Sequence, residues 1–373
     1  MKIKNRICLI TTGLGMGGAE RQICDLSDEL CDLDNDVLII SLTGNSIVKP
    51  RNTKVEIAEL NMKKTPVGLI TALCECRRIL KRFNPDVVHS HMIHANIFTR
   101  ILRIFTKMPI LVCTAHNTNE GGKWRVLAYR YTNFLADINT NVSDEAVEAF
   151  LNAGAVKSDQ MITVGNGFDD KRFSFSEQAR MEKRQRLNLS DDTFLYLAVG
   201  RLEEQKDYPN MLNAMLVVVK EAINSGKKIK LAIIGQSYLE LQLKQLTKDL
   251  GLDDYITFLG LQRDVECWLS AADCFVLSSE YEGFCLVTAE ALLTECLVVA
   301  TDCGGVKEGV GDGGFIVPPK NSAALAQAMI NAMSISKQER EVIVKKGRDR
   351  IIQFYSIRAI ANKWLEIYQG HYK

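Results

Sequence analysis

Two basic side chains lie five positions apart in the stretch VGRLEEQKD, directly after an apolar run that ends in glycine. Arg201 carries a planar guanidinium that can hold two phosphate oxygens, and Lys206 carries a compact point charge. At the exit of a strand, such a pair is suited to clamping a diphosphate. Glu203 and Glu204 lie between the two cations, so a solvated charged loop is the alternative on spacing alone.

Two carboxylates lie eight positions apart in the stretch YEGFCLVTAE. Glu282 precedes the predicted start of a helix, and Glu290 lies about two turns into that helix. The free N–H groups at its start, those of Gly283, Phe284 and Cys285, favour an anion such as a diphosphate. Each carboxylate can accept hydrogen bonds from vicinal hydroxyls of a sugar or a ribose. The alternative is a first-turn acid stabilised by the helix dipole and an unrelated surface acid beyond it.

Histidines follow two of the predicted strands. His89, His91 and His94 occur in HSHMIH, and imidazoles at this spacing can converge on a metal ion. No cysteine or carboxylate nearby completes a set of four ligands, so we favour pocket lining or packing and predict no metal site. His116, in LVCTAHN, also comes at the carboxyl end of a strand, and this position favours a role in the site.

The segment GLGMGG matches the dinucleotide-binding fingerprint through Gly13, Gly15 and Gly18. That fingerprint also needs an acidic side chain near the end of the second strand, to hold a ribose hydroxyl. The second predicted strand ends in Ser-Leu-Thr-Gly at 41–44, without an acid, so an NAD site is disfavoured. The glycines still leave a helix N-terminus open to a phosphate or a sugar.

The composition is that of a soluble globular protein of two domains, with 373 residues, 47% of them hydrophobic and 24% charged. The 46 basic and 45 acidic side chains nearly cancel, which argues against wholesale nucleic-acid binding. The eleven scattered cysteines form no C-x-x-C pair and are expected to be buried free thiols. No apolar run approaches the ~20 residues of a membrane span or forms a signal peptide. We therefore expect a cytoplasmic protein.

Short apolar strands alternate with amphipathic helices along most of the chain, which predicts parallel sheets covered on both faces. The fold class is α/β, with two Rossmann-like, doubly wound domains facing each other across a cleft and ligands at the carboxyl ends of the strands. We place an N-terminal acceptor-side domain at 1–170 and a charged linker at 171–192. A donor domain follows at 193–350, and a C-terminal helical segment at 351–373 that packs back on the N-terminal domain.

In this order, the segments resemble the retaining GT-B glycosyltransferases of the family-4 type over essentially the whole chain. The resemblance rests on GGAER, PDVVHSH, TAHN, VGNGFDDKRF, GRLEEQKD, SSEYEGFCLVTAEAL and ATDCGGVKEGV. The two glutamates of the E-x7-E element, together with the upstream Arg/Lys pair, make the match specific. The chain departs from the family pattern at Cys285, where glycine or proline is usual, and at ECLVVA, where the family has a Gly-x-Pro-Val-Val-Ala turn.

The resemblance implies a role for each of the charged residues. Arg201 and Lys206 would hold the donor diphosphate and stabilise it as the leaving group. Glu282 would contact hydroxyls of the transferred sugar, and Glu290 would hold the nucleotide ribose. His116 would reach the donor sugar or the acceptor.

Backbone groups complete the site that the resemblance implies. Gly17 would approach the diphosphate from the N-terminal domain. The backbone N–H groups that would touch sugar and phosphate belong to Gly283, Phe284, Cys285 and Leu286. The implied mechanism is retention through an oxocarbenium-like transition state, with the acceptor attacking the donor's own face. No cofactor and no metal ion are expected beyond the nucleoside-diphosphate sugar itself.

The expected activity is transfer of a hexose from a nucleoside-diphosphate sugar to a glycan or lipid-linked glycan acceptor, in synthesis of a surface polysaccharide such as O-antigen or capsule. Basic groups on predicted helices could rest against an anionic membrane from the cytoplasmic side, with a solvated helix face as the alternative. These groups are Arg77, Arg78, Lys81, Arg82, Arg100, Arg103 and Lys107.

Three other activities are compatible with parts of the pattern. A GT-B nucleotide-sugar 2-epimerase would bind the donor but transfer nothing. An NAD-dependent oxidoreductase is opposed by the missing acid. A non-catalytic partner subunit would have lost Glu282, Arg201 or Lys206, and all three are present.

Overall fold

The computed structural model of the chain describes residues 4–15, 17–116, 122–157, 159–282 and 286–371. It divides into two compact units. The first consists of Met1–Phe168 and Tyr355–Lys373, and the second of Asp169–Phe354. In the described part of the chain, no helix is both long enough and apolar enough to cross a membrane.

The first unit is built on a seven-stranded parallel sheet with the strand order β3-β2-β1-β4-β5-β6-β7. Its strands are β1 (Arg6–Thr11), β2 (Asp36–Ser41), β3 (Glu56–Glu59), β4 (Val87–His91), β5 (Ile110–Thr114), β6 (Ile138–Asn141) and β7 (Ile162–Thr163). Its helices begin with α1 (Gly18–Asp32), α2 (Pro66–Phe83), α3 (Ile93–Arg103), α4 (Lys123–Thr132) and α5 (Asp144–Asn152).

Both faces of this sheet are covered, which explains why β1, β2 and β5 are almost continuously apolar. Along β1, Ile7 and Leu9 pack on the face that α1 covers, together with Leu30. Cys8 and Ile10 point to the opposite face. That second face is closed by α2 and α3, through side chains such as Leu80 and Phe98.

The second unit is built on a six-stranded parallel sheet with the order β10-β9-β8-β11-β12-β13. Its strands are β8 (Thr193–Val199), β9 (Lys228–Ile234), β10 (Ile256–Gly260), β11 (Cys274–Leu277), β12 (Leu297–Thr301) and β13 (Gly314–Val317). Its helices are α6 (Glu177–Arg186), α7 (Tyr208–Asn224), α8 (Glu240–Asp249), α9 (Val265–Ala271), α10 (Leu286–Leu293), α11 (Val306–Val310), α12 (Ser322–Ser334) and α13 (Lys337–Tyr355).

The final helix, α14 (Ile357–Tyr368), belongs to the first unit. Ser356 caps it by accepting a hydrogen bond from the Ala359 N–H at 3.2 Å. A short parallel bridge precedes the helix, in which the Phe168 N–H donates to the Tyr355 carbonyl at 2.8 Å. The buried side chain of Trp364 then packs in the same core as α1.

The charged stretch 171–192, which we predicted as a linker, lies inside the second unit and contains α6. Two of its arginines bind Asp273, which directly precedes β11. Arg180 contacts one carboxylate oxygen at 2.7 Å and Arg184 the other at 3.1 Å. The Leu195 N–H donates to the second oxygen at 2.8 Å, so this carboxylate links α6 to the first residues of β8.

Replacing Asp273 with alanine leaves two largely buried guanidinium groups without their carboxylate. Breaking such a buried pair costs about 3–5 kcal/mol, so we expect Asp273→Ala to lower the free energy of unfolding of the second unit by that amount. Denaturant unfolding measures the effect. Asp253→Ala, at an exposed position, is the matched control and should change little. Equal, small effects of both substitutions would contradict the assignment.

Candidate functional site

The strand order of the second unit reverses at β8, which has β9 on one side and β11 on the other. In open α/β sheets, ligands bind at the carboxyl ends of the strands beside such a reversal. Arg201 and Lys206 follow β8, and Glu282 follows β11. The structure therefore places these three predicted residues at one edge of one sheet.

Lys206 and Glu282 form an ion pair in which Nζ and Oε1 lie 2.5 Å apart. The two side chains are only 17% and 9% exposed. Ser279 donates a further hydrogen bond to the same carboxylate oxygen at 2.6 Å. Sequence reasoning assigned Lys206 to a diphosphate and Glu282 to a sugar, but it did not anticipate that the two side chains touch.

The loops that carry this pair are joined to each other by further hydrogen bonds. Ser278 donates to the Lys206 carbonyl at 2.7 Å, and the Glu280 N–H donates to the Gln205 carbonyl at 2.9 Å. Gln205 in turn donates to the Tyr281 carbonyl at 3.0 Å. Sequence reasoning missed these residues. The available signal was a pair of serines directly after an apolar strand, where a buried hydroxyl needs a partner.

Two glycines allow the strand ends to approach each other. The Gly200 N–H bonds the Ile234 carbonyl at 2.9 Å, and Gly235 has a φ of +148°. A Cβ on Gly235 would collide with the Gly200 carbonyl oxygen. A Cβ on Gly200 would come within 3.0 Å of the Lys206 side chain, so the lysine stem lies directly over this glycine.

Arg201 lies in the same loop, but its side chain is 72% exposed and pairs with Glu203 at 3.2 Å. Such an exposed ion pair holds the guanidinium only weakly. The structure therefore brings Lys206 to Glu282 and leaves Arg201 outside their contact. A joint clamp by Arg201 and Lys206 remains a prediction.

Glu290 and Leu286 both belong to α10 and are half-buried. Gly283, Phe284 and Cys285 lie outside the described residues. Their predicted contacts with sugar and phosphate stay predictions.

Two of the histidines, His89 and His91, lie on β4, and a third, His116, follows the neighbouring strand β5. His89, on β4, is fully buried, with Nδ1 2.7 Å from the Tyr368 hydroxyl and Nε2 2.6 Å from Thr114 Oγ1. His91 Nδ1 lies 3.1 Å from Nε2 of His116, which follows β5. His89 is thus a satisfied structural histidine, whereas His91 and His116 form a separate bonded pair.

A small cavity adjoins the His91–His116 pair within the first unit. Its volume is about 20 Å³, enough for one water molecule, and its lining includes Gln22, Asn166 and Trp364. Nε2 of His91 is buried and has no hydrogen-bond partner among the described residues. His94 is exposed on α3. The described ranges contain no group of three or more His, Cys, Asp or Glu side chains placed to hold a metal ion.

Gly17 precedes α1 as its N-cap residue, with an extended backbone at φ −127° and ψ 165°. A Cβ at this position would collide with the carboxylate of Glu20, which lies in the first turn of the helix. A carboxylate is stabilised there by the helix dipole. A diphosphate at this helix end would therefore have to displace the Glu20 side chain.

The basic groups predicted to face a membrane are not all on the surface. Arg100 is fully buried and donates to Thr132 at 3.0 Å and to Asn139 at 2.5 Å. The prediction is wrong for Arg100, because polar side chains of other elements draw its guanidinium inward. Arg103 pairs with Asp137 at 2.7 Å. The cations of α2 and Lys107 are exposed.

Two protein-family models match the chain. The model described as Glycosyltransferase Family 4 matches residues 16–172, and the model described as Glycosyl transferases group 1 matches residues 179–350. Together they include Gly17, the His91–His116 pair and the Lys206–Glu282 contact. The chain belongs to the family-4 type of GT-B glycosyltransferases.

Two relatives of this chain are also named as glycosyltransferases. An uncharacterised glycosyltransferase of Methanocaldococcus jannaschii is 27% identical, in a match that covers 64% of this chain and 61% of that protein. A Campylobacter jejuni α-1,4-N-acetyl-D-galactosaminyltransferase, named for a GalNAc-containing acceptor on diphospho-undecaprenol, is 26% identical over 97% of this chain and 98% of its own length.

Solved structures show the same fold. A glycosyltransferase from Rickettsia africae superposes with a TM-score of 0.84 at 21% identity, covering 99% of this chain and 98% of that one. Anabaena HepE, solved in complex with UDP, gives a TM-score of 0.80 at 20% identity over 98% and 100% of the two chains. The predicted α/β fold of the GT-B type is confirmed.

The histidines make the stability of the glycosyltransferase depend on pH. Burial lowers the pKa of His89 and His91 well below the ordinary 6.5, and desolvation lowers that of His116 to about 4. The unfolded chain therefore binds more protons than the folded one below about pH 6.5. Stability from the neutral rings is complete above that pH and is lost as the pH falls toward about 4.

We expect the free energy of unfolding to decrease steadily when the pH is lowered from about 7 to about 4.5. Urea unfolding at several pH values measures this slope. His91→Asn should make the slope shallower, because the unfolded state then takes up one proton fewer. His371→Gln, at an exposed position, is the control. A slope that His91→Asn does not alter would contradict the assignment.

Proposed function

We propose that this glycosyltransferase is a retaining, metal-independent enzyme that transfers a hexose from a nucleoside-diphosphate sugar to a glycan or lipid-linked glycan acceptor. The observation that carries the proposal is the contact between Lys206 and Glu282 at the carboxyl edge of the second sheet. It places a cation suited to a diphosphate next to a carboxylate suited to sugar hydroxyls.

The cationic half of the contact suits the leaving group. Bond cleavage at the anomeric carbon leaves negative charge on the diphosphate, and a positioned ammonium in a water-poor setting stabilises that charge more than bulk water does. Lys206 meets this description, because its stem lies over Gly200 and its side chain is mostly buried. Arg201, on the same loop, would add a guanidinium that holds two phosphate oxygens. These two cations supply positive charge without a metal ion.

The acidic half of the contact suits the sugar. Both hydrogen bonds described for Glu282 end on Oε1, and a carboxylate has further acceptor capacity on Oε2 for a sugar hydroxyl. Glu290, on α10, would hold the ribose. The backbone N–H groups at 283–286 would meet sugar and phosphate, as the family resemblance implies. Retention then requires the acceptor to attack the face of the sugar that the diphosphate leaves.

The names and complexes of relatives indicate which nucleotide and which acceptor to test. UDP is the nucleoside diphosphate bound in the Anabaena structure, so uracil is the first base to test for this chain. The Campylobacter enzyme is named for a polyprenol-linked acceptor, which supports a lipid-linked glycan here and a step in surface-polysaccharide synthesis. His116 and Gly17 would reach donor or acceptor from the first unit. A cytoplasmic enzyme resting on the inner face of the membrane would meet such an acceptor.

Removing either cation should slow turnover. Loss of one positioned charge-stabilising group typically costs about 10²–10³ in kcat, and we expect Lys206→Ala to fall in that range and Arg201→Ala to lose about tenfold or more. Release of the nucleoside diphosphate at saturating donor measures turnover. Lys244→Ala, which removes an exposed lysine of α8, is the matched control.

Thermal unfolding of each variant separates lost chemistry from lost fold, because Lys206→Ala also leaves Glu282 without its buried cation. Folded Lys206→Ala and Arg201→Ala proteins with near-normal turnover would remove both from the diphosphate site. Diphosphate release that does not need an acceptor, with epimerised sugar as product, would favour the epimerase instead.

Donor binding gives an independent test of Glu290. Glu290→Ala should weaken binding of free UDP roughly tenfold to a hundredfold, the range expected for one lost hydrogen bond to a charged group. Thermal shift or calorimetric titration in EDTA measures the affinity. Glu221→Ala, at an exposed position on α7 of the same unit, serves as the control. Equal UDP affinity in wild type and Glu290→Ala would contradict the ribose assignment.

A further inference from the structure

Helix α4 and the short 3-10 turn at Asn133–Leu135 present three aromatic rings to solvent. Trp124, Tyr131 and Phe134 are 84%, 71% and 79% exposed. Spacings of seven and three residues place them on one side of the helix. We call these three residues the α4 aromatic face. Large aromatic side chains are rarely left in water together unless they bind something.

The opposite side of α4 is fastened to the first unit, so the exposure of the rings does not reflect a loosely attached helix. Tyr129 is buried, and its hydroxyl accepts a hydrogen bond from Asn96 at 2.6 Å. The buried guanidinium of Arg100 donates to Thr132 at 3.0 Å. These polar contacts fix the rotation of the helix and with it the direction of the α4 aromatic face.

The charged residues of α4 itself are all positive. The sequence of α4 contains Lys123, Arg125 and Arg130 and no acid. Arg125 and Arg130 are exposed, and helical geometry places them roughly 100° to either side of the aromatic stripe. An apolar stripe flanked by arginines is the pattern of a helix that lies in a membrane interface.

The end of α3 extends the same surface. Arg103 donates to the Leu135 carbonyl at 2.9 Å, which places the end of α3 beside the 3-10 turn. The next residues, Ile104 and Phe105, are exposed, and so is Lys107. Asp137, an acid beside this surface, pairs with Arg103 at 2.7 Å. The extended patch is therefore apolar with a cationic rim.

We propose that the α4 aromatic face docks on an anionic lipid surface. The proposal rests on the proposed function, because a lipid-linked acceptor would require the enzyme to work at a membrane. Trp and Tyr rings prefer the headgroup region, and each arginine near an anionic surface adds attraction that salt weakens. Two exposed arginines with no acid on α4 complement anionic headgroups, and this charge match favours lipid over a second copy of the chain.

Helix α2 is the competing surface. It carries exposed Arg77, Lys81 and Arg82 and exposed Val67 and Ile70, but no exposed aromatic ring among its described side chains. Its charge is mixed, because Arg78 pairs with Glu75. These observations favour the α4 aromatic face over the basic turns of α2 as the membrane contact.

Vesicle co-sedimentation of the full chain tests the docking surface. The probe is vesicles of phosphatidylglycerol and phosphatidylcholine in equal parts, compared with phosphatidylcholine alone. We expect the W124A/Y131S/F134S variant to partition about tenfold or more less strongly, since even partial burial of three rings contributes that much. Leu241→Ser with Ile223→Ser removes two exposed apolar side chains of the second unit and should change nothing.

A second set of variants tests the contribution of the arginines. Arg125→Gln with Arg130→Gln should weaken binding to anionic vesicles roughly tenfold or more and flatten its dependence on salt. Arg77→Gln with Lys81→Gln is the matched pair on α2 and should have little effect. Circular dichroism and thermal unfolding check that all variants fold, as expected for exposed positions.

Three outcomes would overturn the proposal. The triple aromatic variant could bind anionic vesicles as well as wild type does. The α2 pair could carry the effect in place of the α4 pair. A concentration-dependent dimer that the triple variant loses, with no vesicle binding by wild type, would make the face an interface between copies. UDP affinity should be measured in the same proteins. It reports on the donor site and does not require lipid, so it distinguishes a failure of the lipid-docking proposal from a failure of the proposed function.

Discussion

The ion pair between Lys206 and Glu282 is the interaction on which the candidate site depends. Both charges lose most of their water, and the attraction between them offsets that cost only when geometry and extra hydrogen bonds are favourable. Ser279 provides such a bond. A buried pair of this kind contributes little net stability compared with an apolar pair, but losing one partner is expensive. Its effect is positional, since it holds the loop after β8 against the loop after β11.

Two glycines near the ion pair make this contact possible. A lysine stem can reach across the strand end because Gly200 has no side chain, and the carbonyl of Gly200 can approach the next strand because Gly235 has none. In the proposed reaction, a sugar hydroxyl would donate a hydrogen bond to Oε2 of Glu282. Lys206, held beside Oε1, would attract the negative charge that develops on the diphosphate as it leaves. The pair would in that way favour the transition state over the ground state, which is the requirement for catalysis.

The sequence predicted what depends on local pattern. Alternating apolar strands and amphipathic helices predict the two parallel sheets, and polar residues after strands predict where Lys206, Glu282 and His116 lie. Contacts between distant segments leave no such pattern: Glu282 is 76 positions from Lys206, and Tyr368 is 279 positions from His89. The prediction for Arg100 was wrong for the same reason, because its partners at Thr132 and Asn139 lie on other elements.

The polar groups at the strand ends of the two units are buried in different ways. The first unit buries His89 and His91 without a counter-charge, so desolvation keeps the rings neutral at pH 7. Neutral rings can donate or accept hydrogen bonds, which suits recognition of hydroxyls. The second unit buries Lys206 together with its counter-charge, Glu282. In the proposed reaction, charge stabilisation would therefore come from the second unit.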